Sequence, residues 1–312
     1  MRLRPVILSD LEELVALSGQ IDPDRPESPV PWQKVASGEL DHPSLVVLSP
    51  AGRLIGYGCA RPEPGYPPED GVWRLTLGVA PAWRRQGIGD RLYAQILDEL
   101  RSRGVKRLRA RAVADDRASL SFLEARGLRT YQRMLHLTQE LTALPAPSMA
   151  PVERVRAAGI ELLTLPEAQA TDPEALRGIY QLYGAAAADI PTDLHAPPPP
   201  YEAYVKTLSD PLLLPDCFFL ARAGGRYIGT SYAARLPNRP EALGHRFTGV
   251  LRECRRQGIA LALKTLVTQY ARTHGYRRVT TATLEQNRGM RAVNEQLGFT
   301  TTYVQLRLER AL

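Results

Sequence analysis

Arg84-Arg85-Gln86-Gly87-Ile88-Gly89 and Arg255-Arg256-Gln257-Gly258-Ile259-Ala260 are the stretches that decide the architecture of this chain. They lie 171 positions apart (255 − 84). The same frame places Val79 on Val250, Gly104 on Gly275, Glu124 on Glu295 and Gly127 on Gly298, so about fifty residues align without a gap. Five shared residues arise by chance; one frame that also keeps the flanking positions points to an internal repeat. A repeat fixes the layout before any single element does.

Working outward, each half opens with a short extended stretch and a helical pattern. Leu3 to Leu8 is followed by Ser9 or Asp10 as N-cap and by the apolar Leu11, Leu14, Val15 and Leu17. Ile160 to Leu165 is followed by Asp172-Pro173-Glu174 and by Leu176, Ile179, Tyr180 and Tyr183. A hairpin comes next in each half: Ser44 to Leu48 with Leu54 to Ala60 around Ala51-Gly52-Arg53, and Cys217 to Ala221 with Tyr227 to Ala234 around Gly224-Gly225-Arg226. The shared block then reads as strand, Gly-containing loop, long helix, strand and a further helix ending in Gly. The halves divide into residues 1–145 and 155–312, with a seam near Leu144–Arg156 where Pro145, Pro147 and Pro151 punctuate a polar stretch. Ala196 to Pro200 reads as a loop inside the second half.

A chain of 312 residues suits two domains of roughly 150 each. Its 44% apolar and 23% charged content is that of an ordinary globular protein. No apolar run approaches the ~18 residues of a membrane span, and the N-terminus lacks the apolar core of a signal peptide, so a cytoplasmic protein with no membrane partner is expected. Cys59, Cys217 and Cys254 are widely spaced and suggest neither a disulfide framework nor a metal. The net charge of +7 is diffuse: residues 1–150 hold 20 basic and 18 acidic side chains, and residues 151–312 hold 20 and 15. That pattern argues against nucleic acid, which calls for a concentrated basic face.

Leu75, Leu77 and Val79 form a β-rich run that enters the loop at Pro81, and Ile88, Leu92, Ile96 and Leu100 mark one face of the helix that leaves it. Amides at a helix N-terminus have no intrahelical acceptor and the dipole there favours anions; glycine lets the chain approach closely. A basic, Gly-punctuated loop opening a helix is an anion cradle. Dinucleotide and nucleotide-triphosphate loops are excluded, because Leu92 stands where the third glycine would be and no Gly-Lys-Ser/Thr occurs.

The spacing Arg-x-x-Gly-x-Gly/Ala, present twice, resembles the pyrophosphate-binding loop of the GNAT acetyltransferases. Thr248-Gly249-Val250, Asn287, Met290, Asn294 and Leu297-Gly298-Phe299 extend the likeness, and the two copies resemble the tandem GNAT proteins, as in mycothiol-synthase-like chains. The resemblance implies an α/β (α+β) chain of two GNAT modules, each a mixed, mostly antiparallel sheet flanked by helices. It implies acetyl-CoA as cosubstrate, no metal, and direct transfer of an acetyl group to the amine of a small molecule or peptide by a monomer or homodimer. A non-catalytic CoA-binding protein and a mycothiol-synthase-like activity are the alternatives.

Carried onto this sequence, the backbone of Thr248, Gly249 and Val250 would hold the pantetheine arm, and Arg255, Arg256, Gln257, Gly258, Ile259 and Ala260 the diphosphate. Asn287 and Asn294 would face the arm and its sulfur. The first-half counterparts are Leu77 to Val79, then Arg84, Arg85, Gln86, Gly87, Ile88 and Gly89, with Asp116 and Leu123. The tyrosine that relatives often place near the sulfur is Leu123 in the first copy and Asn294 in the second. Leucine donates no proton, whereas an amide hydrogen-bonds a thiolate whose ordinary pKa is about 8.5. The acceptor amine must be neutral, which at pH 7 costs about 4–5 kcal/mol for a lysine-like group. A base beside the strand before the loop would absorb that cost. His245 and Glu241 are the candidates, with Glu285 a third. The second half is therefore expected to be the catalytic copy and the first a degenerate one.

Overall fold

The computed structural model describes residues 1–22, 28–143, 145–190 and 198–312. The chain forms two compact units, residues 1–131 with 306–312, and residues 132–305.

Unit 1 runs β1 (Arg2–Pro5), α1 (Leu11–Ile21), α2 (Pro29–Ala36), β2 (Ser44–Leu48), β3 (Leu54–Pro62), β4 (Val72–Val79), α3 (Ile88–Ser102), β5 (Arg107–Val113) and α4 (Arg117–Glu124). Strands β1 to β4 pair antiparallel in sequence order and β4 pairs parallel with β5. The expected face of α3 is the buried one: Ile88, Leu92, Ile96 and Leu100 lie against Leu45, Ile55, Leu75 and Leu108. Helices α1 and α2 cover the other side, where Leu14, Leu17 and Trp32 pack on Val46, Tyr57 and Cys59.

The chain continues with β6 (Arg129–Glu140), α5 (Ala150–Ala157), β7 (Glu161–Thr164), α6 (Leu165–Thr171), α7 (Ala175–Ala188), α8 (Tyr201–Leu208), β8 (Leu213–Ala223), β9 (Arg226–Arg235), β10 (Ala242–Val250), α9 (Ile259–Thr273), β11 (Arg278–Leu284), α10 (Arg288–Gln296) and β12 (Thr300–Ala311). In unit 2 the strand order is β12-β6-β11-β10-β9-β8-β7; β6–β11, β10–β9, β9–β8 and β8–β7 pair antiparallel and β10–β11 parallel. Gly229 brings α9 onto β9, since a Cβ there would lie 2.8 Å from the Ile259 side chain. In each unit the strand pairing is mixed, mostly antiparallel, and flanked by helices, as expected. Among the described residues no helix is long and apolar enough to cross a membrane.

The seam differs from the expectation. Pro151 starts a helix instead of breaking the chain, because proline's fixed φ and missing N–H suit a first turn. Val152 and Val155 of α5 are buried in the unit 2 core. Thr164 and Glu167 form a capping box that opens α6, which the sequence reading passed over. Leu144, His195 and the start of the Ala196–Pro200 loop lie outside the described residues.

The units also cut across the repeat. Strand β6, which closes the first half in sequence, pairs with β11 from Arg278↔Glu140 to Leu284↔Met134, inside unit 2. Residues 306–312, which close the second half, lie in unit 1: Arg109 Nε donates to Glu309 at 2.7 Å and Leu312 N donates to the Lys106 carbonyl at 3.0 Å.

Candidate active site

The parallel pairing of β10 and β11 covers only Ala242↔Arg278, Leu243↔Val279 and Gly244↔Thr280. Beyond it β10 runs to Val250, still paired with β9, and β11 runs to Leu284, still paired with β6. The two strands part and leave facing backbone edges, where free N–H and C=O groups suit an extended ligand. Unit 1 repeats the feature: β4 and β5 pair only from Val72↔Arg107 to Arg74↔Arg109, while the strands continue to Val79 and Val113.

At the open end of β10 the chain passes through one tight turn at Arg252–Cys254 into the loop. Arg256 has φ +62° and Gly258, the N-cap of α9, φ +80°; in unit 1 Arg85 has φ +62° and Gly87 φ +76°. Arg85 and Arg256 are the non-glycine residues with positive φ among the described ones. Left-handed backbone at a β-carbon-bearing residue costs roughly 1–2 kcal/mol, and its recurrence at the same point of both copies marks a functional turn. The α9 ladder begins with Ala262 N donating to the Gly258 carbonyl at 2.9 Å, so the first-turn amides have no intrahelical acceptor. A Cβ on Gly87 or Gly258 would meet nothing within 4 Å, so the loop mouth is open. Arg255 Nε donates to the Val250 carbonyl at 3.1 Å and Arg84 Nε to that of Val79 at 3.2 Å, which ties each loop to the strand before it. Asp189, at the end of α7, ion-pairs with Arg252 and, at 2.6 Å, with Arg255.

The copies differ where chemistry would occur. Register shifts between His245 and Phe247 in β10, a bulge that bends the strand, whereas β3 and β4 pair from Gly56↔Val79 to Pro62↔Trp73 without a shift. The bulge turns His245 toward the α9 side. There its Nε2 lies 2.9 Å from Ser231 Oγ, which lies 3.0 Å from Thr248 Oγ1. Burial, reinforced by the Lys264 ammonium, holds the His245 imidazole well below its ordinary pKa, so it is neutral at pH 7. Lys264 is itself 2% exposed and its Nζ sits 5.1 Å from the centre of the Phe299 ring. Burial alone lowers its pKa to about 7. Sequence reading missed Lys264; the signal was a lone lysine among Ala262, Leu263 and Val267 on the core side of α9.

Asn294 is fully buried, and neither its Nδ2 nor its Oδ1 has a hydrogen-bond partner. An orphaned buried amide is costly unless a ligand completes it. On the opposite sheet face from His245, Phe247 lies 5.3 Å from Tyr183 and 6.3 Å from Tyr232, and Tyr183 lies 4.9 Å from Tyr204, giving an aromatic wall beneath α7 and α8. Thus β10 divides its chemistry between two faces.

Other candidates take structural places. Asn287 caps α10, its Oδ1 accepting from Met290 N at 3.1 Å, and Asp116 caps α4 in the same way through Ser119 N. Glu241 precedes β10 at the closed end of the β10–β11 pair, four residues or about 13 Å before His245 along the strand, and the structure does not bring it to the opening. Glu285 ion-pairs with Arg133 at 2.9 Å. Two tyrosines that follow the Gly-Leu and Gly-Phe pairs are also in packing contacts: Tyr131 lies against the Arg109 guanidinium and Tyr303 stacks on His136.

Known proteins share this arrangement. The model of the acetyltransferase (GNAT) family matches residues 11–128 and 179–299. A GCN5-related N-acetyltransferase from Sphaerobacter thermophilus superposes with TM-score 0.71 at 18% identity, over 99% of this chain and 95% of that one. A tandem GNAT protein from the clavulanic acid biosynthesis pathway gives TM-score 0.71 at 21% identity, over 99% and 98%. A glucosamine N-acetyltransferase region of a fungal multi-domain β-N-acetylglucosaminidase gives 0.71 at 16%, over 98% of this chain and 38% of that one. These identities carry the fold alone. No curated protein sequence matches this chain. With both matched regions centred on the two loops and their splayed strands, the chain belongs to the GNAT acetyltransferase family as a tandem of two such folds.

Proposed function

We propose that unit 2 transfers an acetyl group from acetyl-CoA to the amine of a small molecule or peptide, by direct attack. One observation carries this reading: a left-handed turn opens onto parted strands in each unit, at Arg84–Gly89 and at Arg255–Ala260, but among the described residues the bulge and the part-buried Ser231–His245–Thr248 cluster occur beside it in unit 2 and not in unit 1. The diphosphate would sit on the first-turn amides of α9, with the dipole and Arg255 and Arg256 adding favourable charge. The pantetheine arm would run as an extra strand along Thr248 to Val250. A backbone N–H there would polarise the thioester carbonyl.

The amine nitrogen forms its bond to the carbonyl carbon, the C–S bond breaks, and the thiolate departs against the amide of Asn294. The amine's proton passes to neutral His245 through the Ser231 and Thr248 hydroxyls. Tyr183, Tyr204, Tyr232 and Phe247 supply the acceptor side with an apolar, hydroxyl-bearing wall. Unit 1 keeps the loop and the parted strands but has Arg74 at the position of His245 and Leu123 at that of Asn294. Its reading is CoA binding without transfer. Acetyl-CoA turnover across an amine panel, with calorimetry of CoA binding, tests this: transfer slowed by about 10²–10⁴-fold in His245→Ala supports it, and full turnover by that variant sinks it.

A further inference from the structure

The acceptor-side face of unit 1 has been rebuilt with arginines. Directly opposed residues on neighbouring strands project to the same sheet face. Arg61 pairs with Arg74, and Arg74 with Arg109, so three guanidiniums form a row across β3, β4 and β5 at the point where β4 and β5 part. Arg111, two residues beyond Arg109, adds a fourth on the same face. This is the side of β3 that holds Tyr57 and Cys59 under α1 and α2, and the counterpart of the aromatic wall in unit 2.

The acids present do not balance the row. Glu63 is 8% exposed and takes Arg111 at 3.2 Å and Arg74 at 3.4 Å; Glu309 takes Arg109 at 2.7 Å. Arg61 has no carboxylate among the described residues, and its Nε, like that of Arg74, is buried without a hydrogen-bond acceptor. Among the described residues these ion pairs reach two carboxylates for four guanidiniums, and Glu309 is shared with Arg107 at 3.8 Å. Burial and the neighbouring Arg111 lower the Arg74 pKa to about 10, which still leaves it charged at neutral pH. The Tyr66 and Tyr131 rings lie 4.4 and 4.6 Å from the Arg109 guanidinium and stiffen the row. Buried cations of this kind persist where a ligand completes them, and planar guanidiniums match oxyanions in fork geometry.

We propose that the arginine row Arg61–Arg74–Arg111 of unit 1 binds a small doubly charged oxyanion, a dicarboxylate or a phosphate, at a site separate from both diphosphate loops. Unit 1 is then a receptor for an anionic metabolite and not only a vestigial enzyme. This inference does not depend on the transfer activity of unit 2.

Calorimetric titration of the full chain at low ionic strength tests it, with succinate and orthophosphate as the two probes. The expected result is one saturable site that persists in a Gly87→Asp, Gly258→Asp double variant and weakens at least tenfold in Arg61→Gln and in Arg111→Met. Arg61 makes no ion pair among the described residues and the Arg111 side chain is 37% exposed, so neither change threatens folding. Whichever probe binds more tightly names the source of the charge. An absence of saturable binding overturns the proposal. So does an anion bound only by the loops, lost in the glycine variants and indifferent to the arginines.

Discussion

At position 245 a part-buried histidine lies beside two hydroxyls, those of Ser231 and Thr248. Burial and the Lys264 charge disfavour the imidazolium, so His245, the proposed base, is held well below the ordinary imidazole pKa. The acid limb of kcat should therefore lie below pH 6.5. Lys264→Met removes the like charge and should move that limb upward toward 6.5 in a pH–rate profile. His245→Ala should lower kcat by about 10²–10⁴-fold with CoA affinity unchanged by calorimetry; equal losses in both would reassign the residue to binding. Lys264 also carries a stability cost. Its folded pKa of about 7 lies below the unfolded 10.5, so between those values the unfolded chain holds more protons and stability rises with pH. At pH 7, Lys264→Met should stabilise the protein by on the order of 3–5 kcal/mol, and the gap should shrink as pH approaches 10.5. Denaturant midpoints at pH 7 and 9.5 check this. Asn294 stood out in the sequence only by family resemblance; that both its amide atoms are orphaned required the packing of α10.

At the level of elements, the loop was legible because its physics is local. Two arginines, a left-handed glycine at the N-cap and an amphipathic helix start specify the turn without reference to distant residues, and both copies share it. Helix α5 was not legible, because Pro151 reads as a breaker unless the start of a helix is suspected. Nor was the bulge: one extra residue in β10 shows only against the partner strand β9, which sequence spacing does not fix. The cradle makes a paired prediction. Gly258→Asp keeps a residue that tolerates positive φ and meets no neighbour within 4 Å, but it sets a carboxylate where the diphosphate would lie. CoA affinity at unit 2 should fall at least 100-fold, with the loss of stability limited to the roughly 1–2 kcal/mol that left-handed backbone costs a residue with a β-carbon, while Gly87→Asp should spare turnover and remove only a second binding event. Loss of turnover in Gly87→Asp alone would transfer the catalytic role to unit 1.

For the whole chain, the repeat predicted two halves, but the strands were traded across them. The alternating patterns of β6 and β12 fit either sheet, since inward–outward alternation names a face and not a partner. A fragment cut by sequence, residues 150–312, therefore lacks the strand that covers β11 and loses Leu135, Leu137 and Leu141 from the unit 2 core. Burying a leucine contributes roughly 1.5–3 kcal/mol, so three amount to about 5–9 kcal/mol, comparable with the whole stability of a domain at roughly 5–15 kcal/mol. Residues 132–305 retain all three leucines, with Gln139 accepting from Thr268 at 3.0 Å and donating to the Leu297 carbonyl. The 132–305 cut should thus give a cooperatively folding fragment that binds CoA, and the fragment 150–312 should aggregate or melt without a transition. Circular dichroism melts of the two distinguish them directly. If 150–312 folds as well as 132–305, β6 is an ornament on β11 and unit 2 ends where the repeat says it does.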